Sequence, residues 1–202
     1  AAPPHHGEAI MKRLALALAF GAAIAPGAHA LEYTALRPEA SAITFAYQQM
    51  GVGLEGRFTR FDGELSFDPA QPEAARARIE VELASIDTGS PEGNDEVAGK
   101  AWFDTPSFPR ARFVSQGVKA LGDSAYEVSG TLSIKGREQA VVVPATVTTQ
   151  GDSAVFEGRF TIKRGDFAIG EGAWSAFDIV ANEVLVTFRI TADSGTNTQQ
   201  GE

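Results

Sequence analysis

The chain has 202 residues, of which 17 are Lys or Arg, 26 are Asp or Glu, 3 are His and none is Cys. This length fits one domain or at most two small ones, and a hydrophobic content of 44% excludes wholesale disorder. The lack of cysteine excludes a disulfide scaffold, a thiol nucleophile, an iron–sulfur cluster and a cysteine-ligated zinc. A net charge of −9 without a Lys/Arg cluster argues against nucleic acid as a partner.

Residues 11–30 have the three parts of a secretory signal peptide in the right order. Met11 is followed by two basic residues, by an uncharged run over 14–25 and by the small-x-small site Ala-His-Ala that ends at Ala30. The uncharged run is shorter than the roughly 20 residues that a membrane-spanning helix needs. We therefore expect cleavage after Ala30 and export to a bacterial periplasm.

All three histidines, His5, His6 and His29, precede the expected cleavage site. The exported protein would then have neither Cys nor His, which excludes Ser-His-Asp, Cys-His and His-based metal chemistry. Residues 1–10 do not have the composition of a signal and are interpreted as an upstream extension. We expect the folded domain to span 31–193 and the polar residues 194–202 to be a disordered tail.

Alternation of apolar and polar residues predicts a series of β-strands along the chain. Ile43, Phe45 and Tyr47 form one face of the first strand. The apolar phase slips by one residue between Phe58 and Phe61, which predicts a bulge or bend near this point, over 59–62. The later predicted strands cover residues 77–83, 112–119, 126–134, 140–148, 155–163 and 184–190.

Short turn signals separate these strands, for example Leu121-Gly122-Asp123 and Gln150-Gly151-Asp152. Many antiparallel strands with short turns predict an all-β barrel or sandwich. Pro144 lies inside one Val-rich strand and cannot donate a backbone hydrogen bond, which predicts an edge position or a bulge there.

One long connection, between Ser85 and Arg112, interrupts the strands. Ser90-Pro91-Glu92 predicts the start of a helix that residues 95–100 continue. The same connection carries Trp102, Phe103 and Phe108, three large apolar side chains outside a strand pattern. Such a segment either covers a barrel mouth and lines a cavity, or packs as a satellite cluster that seals the barrel end, and the two interpretations have equal weight.

Catalytic motifs are scarce in the sequence. Residues 51–56 match G-x-G-x-x-G, but a strand pattern follows where a dinucleotide site needs a helix, so the glycines are interpreted as permitting a tight bend. Two carboxylate pairs, Asp62 with Glu64 and Asp166 with Glu171, have the residue types of a glycosidase. Spacing alone does not place two carboxyls across a substrate, so we interpret them as solvated surface acids.

Residues 163–166, Lys-Arg-Gly-Asp, place charges at the end of an apolar strand. They form either a turn with a local ion pair, or a site where Arg164 holds an anionic head group at a barrel mouth. Binding is the function class that remains, because aromatic residues share faces with aliphatic ones. In a small barrel such residues fill the interior, and in a wider barrel they line an apolar cavity.

An ordered series of motifs closely resembles the YceI-like family of secreted polyisoprenoid-binding proteins. The resemblance covers roughly residues 31–192. In chain order the motifs are 41–45 (SAITF), 50–52 (MGV), 56–58 (GRF), 61–63 (FDG), 84–89 (ASIDTG), 102–104 (WFD), 108–109 (FP), 111–113 (ARF), 130–136 (GTLSIKG) and 161–170 (TIKRGDFAIG).

The resemblance implies an extended antiparallel, lipocalin-like barrel of about eight strands with one short helix in the long connection. It implies a non-enzymatic periplasmic carrier whose pore holds an isoprenoid lipid, either a polyprenyl phosphate or a quinone tail, with no other cofactor. An accessory interaction module for a membrane quinone and b-type cytochrome system is the alternative, and an enzyme acting on a lipid-linked substrate is less favoured. Because some relatives are dimers, a homodimer is also an expectation.

Face alternation and the resemblance together give ten candidate ligand-binding residues, and no catalytic or metal-ligating residue. Arg164 is the candidate for contact with a head group. The ten are Phe45, Tyr47, Phe58, Trp102, Phe103, Phe113, Phe160, Arg164, Trp174 and Phe188. Positions where relatives often carry histidine hold Ala40, Gln49 and Glu96, which predicts a divergent subgroup with a different head group or ligand.

Overall fold

Eleven β-strands and one α-helix form the part of the chain that our computed structural model describes, residues 31–195. The expected signal peptide, the upstream extension and the tail beyond residue 195 lie outside the described residues. The elements are β1 (Tyr33–Leu36), β2 (Ala42–Gln49), β3 (Val52–Phe58), β4 (Phe61–Ser66), β5 (Arg76–Glu82), β6 (Ile86–Asp87), α1 (Pro91–Ala98), β7 (Arg110–Gly122), β8 (Ala125–Ile134), β9 (Arg137–Gln150), β10 (Ser153–Lys163) and β11 (Glu183–Ser194).

The strands form one antiparallel sheet in the order β4-β5-β7-β8-β9-β10-β11-β2-β3-β6. Three pairs of successive strands, β1 with β2, β3 with β4 and β5 with β6, act as single bent strands. β11 pairs with both β1 and β2, while β3 pairs with β6 and β4 pairs with β5. Counted in this way, eight strands surround the interior, which confirms the expected extended antiparallel barrel.

The predicted bend between Phe58 and Phe61 is present, and a buried serine fixes it. Ser85 accepts a 2.9 Å hydrogen bond at Oγ from the Arg60 backbone N–H, and its own carbonyl accepts one from Thr59 N at 3.1 Å. Ser85 Oγ also donates to the carbonyl of Glu82 at 2.7 Å. The same side chain therefore holds the bend between β3 and β4 and the bend between β5 and β6.

The edge position or bulge predicted at Pro144 is wrong for the strand as a whole. β9 lies inside the sheet, and its register with β8 runs without a shift, with Pro144 opposite Glu127. Its pairing with β10, however, covers only Ala145 to Gln150. Because β10 turns away at this point, the proline lies at the end of the β9–β10 pairing.

The long connection contains the predicted helix. Ser90 caps α1 by accepting a 3.0 Å hydrogen bond at Oγ from Gly93 N, and Pro91 occupies the first turn. The helix ends at Ala98, two residues before the predicted end at Lys100. Two short strands, β1 and β6, were not predicted, and β7 is longer than the segment that alternation indicated.

A buried cluster closes one end of the barrel, and we call it the far-end cluster. It consists of Tyr33, Phe67, Val147, Ala154 and Ala192, each at most 6% exposed. Tyr33 donates its hydroxyl hydrogen to the carbonyl of Gly151 at 2.9 Å, so its one polar atom is satisfied. Within residues 31–195, no helix has the length and apolarity that crossing a bilayer requires.

Candidate functional site: an apolar cavity inside the barrel

An apolar cavity of about 680 Å³ occupies the barrel interior. It extends from α1 and the β2–β3 hairpin to Phe67 and Val147 of the far-end cluster. Strands on all sides contribute aliphatic and aromatic side chains to its wall. Cavities of this size and composition hold small hydrophobic ligands, with few polar groups to fix their orientation.

All ten sequence candidates line this one cavity: Phe45, Tyr47, Phe58, Trp102, Phe103, Phe113, Phe160, Arg164, Trp174 and Phe188. They come from β2, β3, β7, β10, β11 and two connections, so the barrel brings together residues that are far apart in sequence. Contact of each side chain with a ligand stays a prediction.

The ten candidates leave out most of the aliphatic wall, which includes Leu54, Ile79, Leu132, Val143, Val184 and Val186. Alternation placed most of these residues on inward faces. It could not separate a residue that faces open space from one that packs against other side chains, because that difference depends on the width of the barrel.

A row of aromatic rings forms one wall of the cavity. The ring centroids of Phe45 and Tyr47 are 6.0 Å apart, those of Phe45 and Phe58 are 5.4 Å apart, and those of Phe58 and Phe103 are 6.4 Å apart. Burial raises the pKa of Tyr47, so its hydroxyl stays uncharged at neutral pH. The aromatic row therefore presents an uncharged and largely apolar surface to the cavity.

Gly56 makes room for this aromatic row. A Cβ built at Gly56 would overlap the ring of Phe45, and it would lie 2.7 Å from the carbonyl oxygen of Asp87. Gly56, the last glycine of the G-x-G-x-x-G match, therefore permits close packing between strands. The first glycine of the match, Gly51, lies in the bend together with Met50, and both residues have positive φ.

The structure favours the first interpretation of the aromatic connection for two of its three aromatic residues. Trp102 and Phe103 line the cavity, and Trp102 packs against Trp174 with ring centroids 5.5 Å apart. Phe108 does not line it and packs beside Gly136, where a Cβ would lie 3.1 Å from the Phe108 ring. The connection thus covers one end of the cavity with two of its three aromatics.

Arg164 is buried at this end of the cavity, only 2% exposed, and holds the surrounding loop together. Its guanidinium donates to six backbone carbonyls, including 2.7 Å from Nη2 to Val180 O, 2.9 Å from Nη1 to Ile169 O and 2.9 Å from Nη2 to Trp174 O. The other three acceptors are Gly170, Ala176 and Ala181. Carbonyl oxygens therefore take up all of its N–H groups.

The local ion pair considered for residues 163–166 is wrong. Arg164 binds carbonyls, whereas Asp166 is exposed to solvent. The guanidinium lies 5.0 Å from the ring centroid of Phe177 and 5.8 Å from that of Trp102. Burial lowers the pKa of Arg164, which nevertheless stays protonated because a guanidinium does not lose its proton in proteins. Contact of Arg164 with a head group stays a prediction. The guanidinium has no spare N–H to donate to such a group.

Three segments surround the open end of the cavity, residues 48–55, 88–98 and 171–183, and we call them the mouth segments. Glu96 accepts a 2.8 Å hydrogen bond from Trp174 Nε1, which joins the second segment to the third. Met50 N donates to Ile179 O at 2.7 Å and joins the first to the third. Apolar side chains are exposed here, with Met50 at 72%, Val52 at 60% and Phe177 at 52%.

The carboxylates considered for hydrolysis lie elsewhere. Asp62, Glu64, Asp166 and Glu171 are exposed, and the cavity wall contains none of them. In residues 31–195, no group of three His, Cys, Asp or Glu side chains is arranged to hold a metal ion. The described site therefore offers shape and apolar surface to a ligand.

Comparison with known proteins agrees with this geometry. Residues 35–192 match the model of the YceI-like domain. A UPF0312 protein of Pseudomonas savastanoi pv. phaseolicola is 32% identical over 170 residues, which cover 79% of this chain and 88% of that relative.

Solved structures share the fold. The crystal structure of Burkholderia cenocepacia BcnA has a TM-score of 0.76 at 39% identity and covers 78% of this chain and 99% of that one. A polyisoprenoid binding domain from Saccharophagus degradans, implicated in plant cell wall breakdown, has a TM-score of 0.65 at 18% identity and covers 82% of this chain and 99% of that one. With a barrel of this topology and a domain match over nearly all of the described residues, the chain belongs to the YceI-like family.

Proposed function

We propose that this protein is a periplasmic carrier that holds one isoprenoid lipid, a polyprenyl phosphate or a quinone, with its tail in the barrel cavity. The observation that carries the proposal is the apolar cavity of about 680 Å³, which runs from the mouth segments to the far-end cluster. An isoprenoid tail has no polar groups along its length, so it matches a wall that offers almost none. The similarity to a polyisoprenoid binding domain from Saccharophagus degradans supports the same class of ligand.

Burial of the tail provides the binding free energy. Each CH₂ group removed from water contributes about 0.8 kcal/mol, so a tail of several isoprene units binds without specific polar partners. The function needs no catalytic group. A carrier is needed for such a lipid because its apolar tail is insoluble in water.

Native mass spectrometry of the purified protein, followed by organic extraction, tests the proposal. We expect a one-to-one adduct whose mass is lost on extraction and matches a long-chain isoprenoid in the organic phase. Failure to find an isoprenoid or other long-chain lipid, either co-purified or bound after addition, would contradict the proposal.

The periplasmic location rests on the signal-like residues 11–30. Fractionation of cells that produce the full chain, with N-terminal sequencing of the product, tests it. We expect the protein in the periplasmic fraction with Leu31 as its first residue. An unprocessed chain in the cytosol would contradict the location and leave the proposed ligand class untouched.

A further inference from the structure

The charges around the cavity distinguish between the two ligand types that the proposed function leaves open. A polyprenyl phosphate carries a negative polar end, whereas a quinone or a polyprenol is uncharged. With the tail in the barrel, the polar end lies either inside the cavity or at its mouth.

Inside the cavity, the cation nearest the mouth has no donor to offer. Arg164 lines the wall, and six backbone carbonyls accept its N–H groups. A phosphate bound there would have to displace these carbonyls, and those of Val180, Ile169 and Gly170 are buried and would lose this donor. Each such loss costs more than a new hydrogen bond returns.

The other charged groups on the wall are no better placed. Arg112 is paired with Glu80, with 2.9 Å between Nη2 and Oε1. Arg76 is exposed and lies at the start of β5, toward the end that the far-end cluster closes. Glu96, at the mouth, carries a negative charge itself.

Within the mouth segments, every charged residue is acidic. The three mouth segments contain seven acids and no Lys or Arg, counting only these described residues. The acids are Glu55, Glu92, Asp95, Glu96, Glu171, Asp178 and Glu183. One of them, Glu171, has a basic neighbour, Lys135, at 3.5 Å. An anionic head group at the mouth would therefore meet a negative potential.

We infer that the cavity selects an uncharged isoprenoid, of the quinone or polyprenol type, over a polyprenyl phosphate. The inference rests on the proposed function and adds the charge of the ligand to it. Desolvation disfavours the phosphate inside the cavity, and repulsion by the acids disfavours it at the mouth. An uncharged polar end is not repelled by the acids, and its desolvation costs much less than that of a phosphate.

Competition between two lipids with the same tail tests the inference. The full-length protein, stripped of lipid, is equilibrated with equal amounts of solanesol and solanesyl phosphate, and the bound lipids are extracted and quantified. At about 10 mM salt, where screening extends over roughly 30 Å, we expect about tenfold more bound solanesol. At about 1 M salt, where the screening length falls to about 3 Å, we expect this ratio to decrease.

A variant with a less acidic mouth separates repulsion at the mouth from desolvation of the head group inside the cavity. Glu92→Gln, Asp95→Asn and Asp178→Asn together should raise the bound share of solanesyl phosphate severalfold at low salt. The matched control, Glu64→Gln, Glu73→Gln and Asp152→Asn, makes the same change in net charge away from the mouth segments and should leave the ratio unchanged.

Two results would overturn the inference, and a third would locate a bound phosphate. Equal or greater binding of solanesyl phosphate to the unmodified protein would show that the cavity accepts an anion, and the proposed function would stand. Loss of that phosphate binding in Arg76→Gln would place the head group at the start of β5 instead of the mouth. Binding of neither lipid would remove the proposed function as well.

Discussion

Arg164 and Val180 are joined by two hydrogen bonds, from Nη2 at 2.7 Å and from Nε at 3.2 Å, both to the carbonyl oxygen of Val180. Arg164 follows the last residue of β10, and Val180 precedes β11 by three residues. The pair therefore holds the connection between two neighbouring strands against the end of the cavity. The buried guanidinium thus gives these carbonyls the hydrogen-bond donors that water would give them in an exposed turn.

Replacing Arg164 should destabilise the whole barrel. Arg164→Met keeps the length of the side chain but removes the guanidinium from six backbone carbonyls, of which those of Val180, Ile169 and Gly170 are buried. We expect a loss of about 3–5 kcal/mol in the free energy of unfolding. Urea denaturation measures the loss. The lysine of Arg164→Lys has three N–H donors, so the stability of this variant should lie between those of the unmodified protein and of Arg164→Met.

The matched control for this prediction is Arg159→Met. Arg159 lies on β10 and is exposed, so its loss should change the free energy of unfolding by about 0.5 kcal/mol or less. Equal stability of the Arg164→Met and Arg159→Met variants would contradict the structural role of the buried guanidinium.

Two glycines of one strand should respond differently to alanine. Gly56→Ala would push a methyl group into the ring of Phe45 and toward the Asp87 carbonyl, so we expect a loss of about 1–3 kcal/mol. Gly53→Ala meets no atom within 4 Å and should be neutral or slightly stabilising. Thermal unfolding of the two variants measures the difference, and equal melting temperatures would show that Gly56 is not needed for packing.

Glu80 should make stability depend on pH in the acid range. Burial of its carboxyl raises the pKa, but the hydrogen bond from Arg110 and the charges of Arg112, Arg78 and Arg110 outweigh burial, and the net pKa is below its usual 4.5. The folded state thus binds this proton less readily than the unfolded state. The contribution of Glu80 is complete above pH 4.5 and declines as pH falls below it.

Glu80→Gln isolates this contribution. Because Arg110 and Arg112 are more than half exposed, we expect a loss of only about 0.5–1 kcal/mol at neutral pH, with the difference from the unmodified protein shrinking toward pH 3. Urea denaturation at several pH values checks it. A difference that grows as the pH falls would contradict the sign of the shift.

Filling the cavity should block lipid binding without unfolding the barrel. Val186 of β11 lines the cavity, so Val186→Trp places a large side chain into open space. We expect at least a tenfold loss of lipid affinity, measured by calorimetric titration with solanesol. Thr187→Trp adds the same side chain on the exposed face of the same strand and should bind normally. Equal affinities would mean that the lipid does not occupy the barrel interior.

Strand alternation predicted most of the barrel because each strand has one apolar inner face. It placed the bend after Phe58 correctly, since a one-residue slip in apolar phase has to reverse the face. It misjudged Pro144, because the place where β10 leaves β9 depends on barrel curvature and not on either strand alone. β6 was missed because a two-residue strand is too short to show alternation.

The sequence likewise predicted one part of the candidate site and not the rest. The aromatic lining could be chosen from inward faces and from the resemblance to the YceI-like family. The environment of Arg164 could not, because its partners are backbone carbonyls, which any residue supplies and no motif marks. The acidic mouth was also missed, since residues 48–55, 88–98 and 171–183 come together only in the folded chain.

The central claim, that a long-chain lipid occupies the barrel, has a direct optical test. The chain has 2 tryptophans, Trp102 and Trp174, and both line the cavity. We predict that titration of the lipid-free protein with a long-chain ubiquinone, a quenching ligand, quenches their fluorescence saturably at one ubiquinone per protein. Quenching that rises linearly without saturation, as for free tryptophan in the same solution, would contradict the claim.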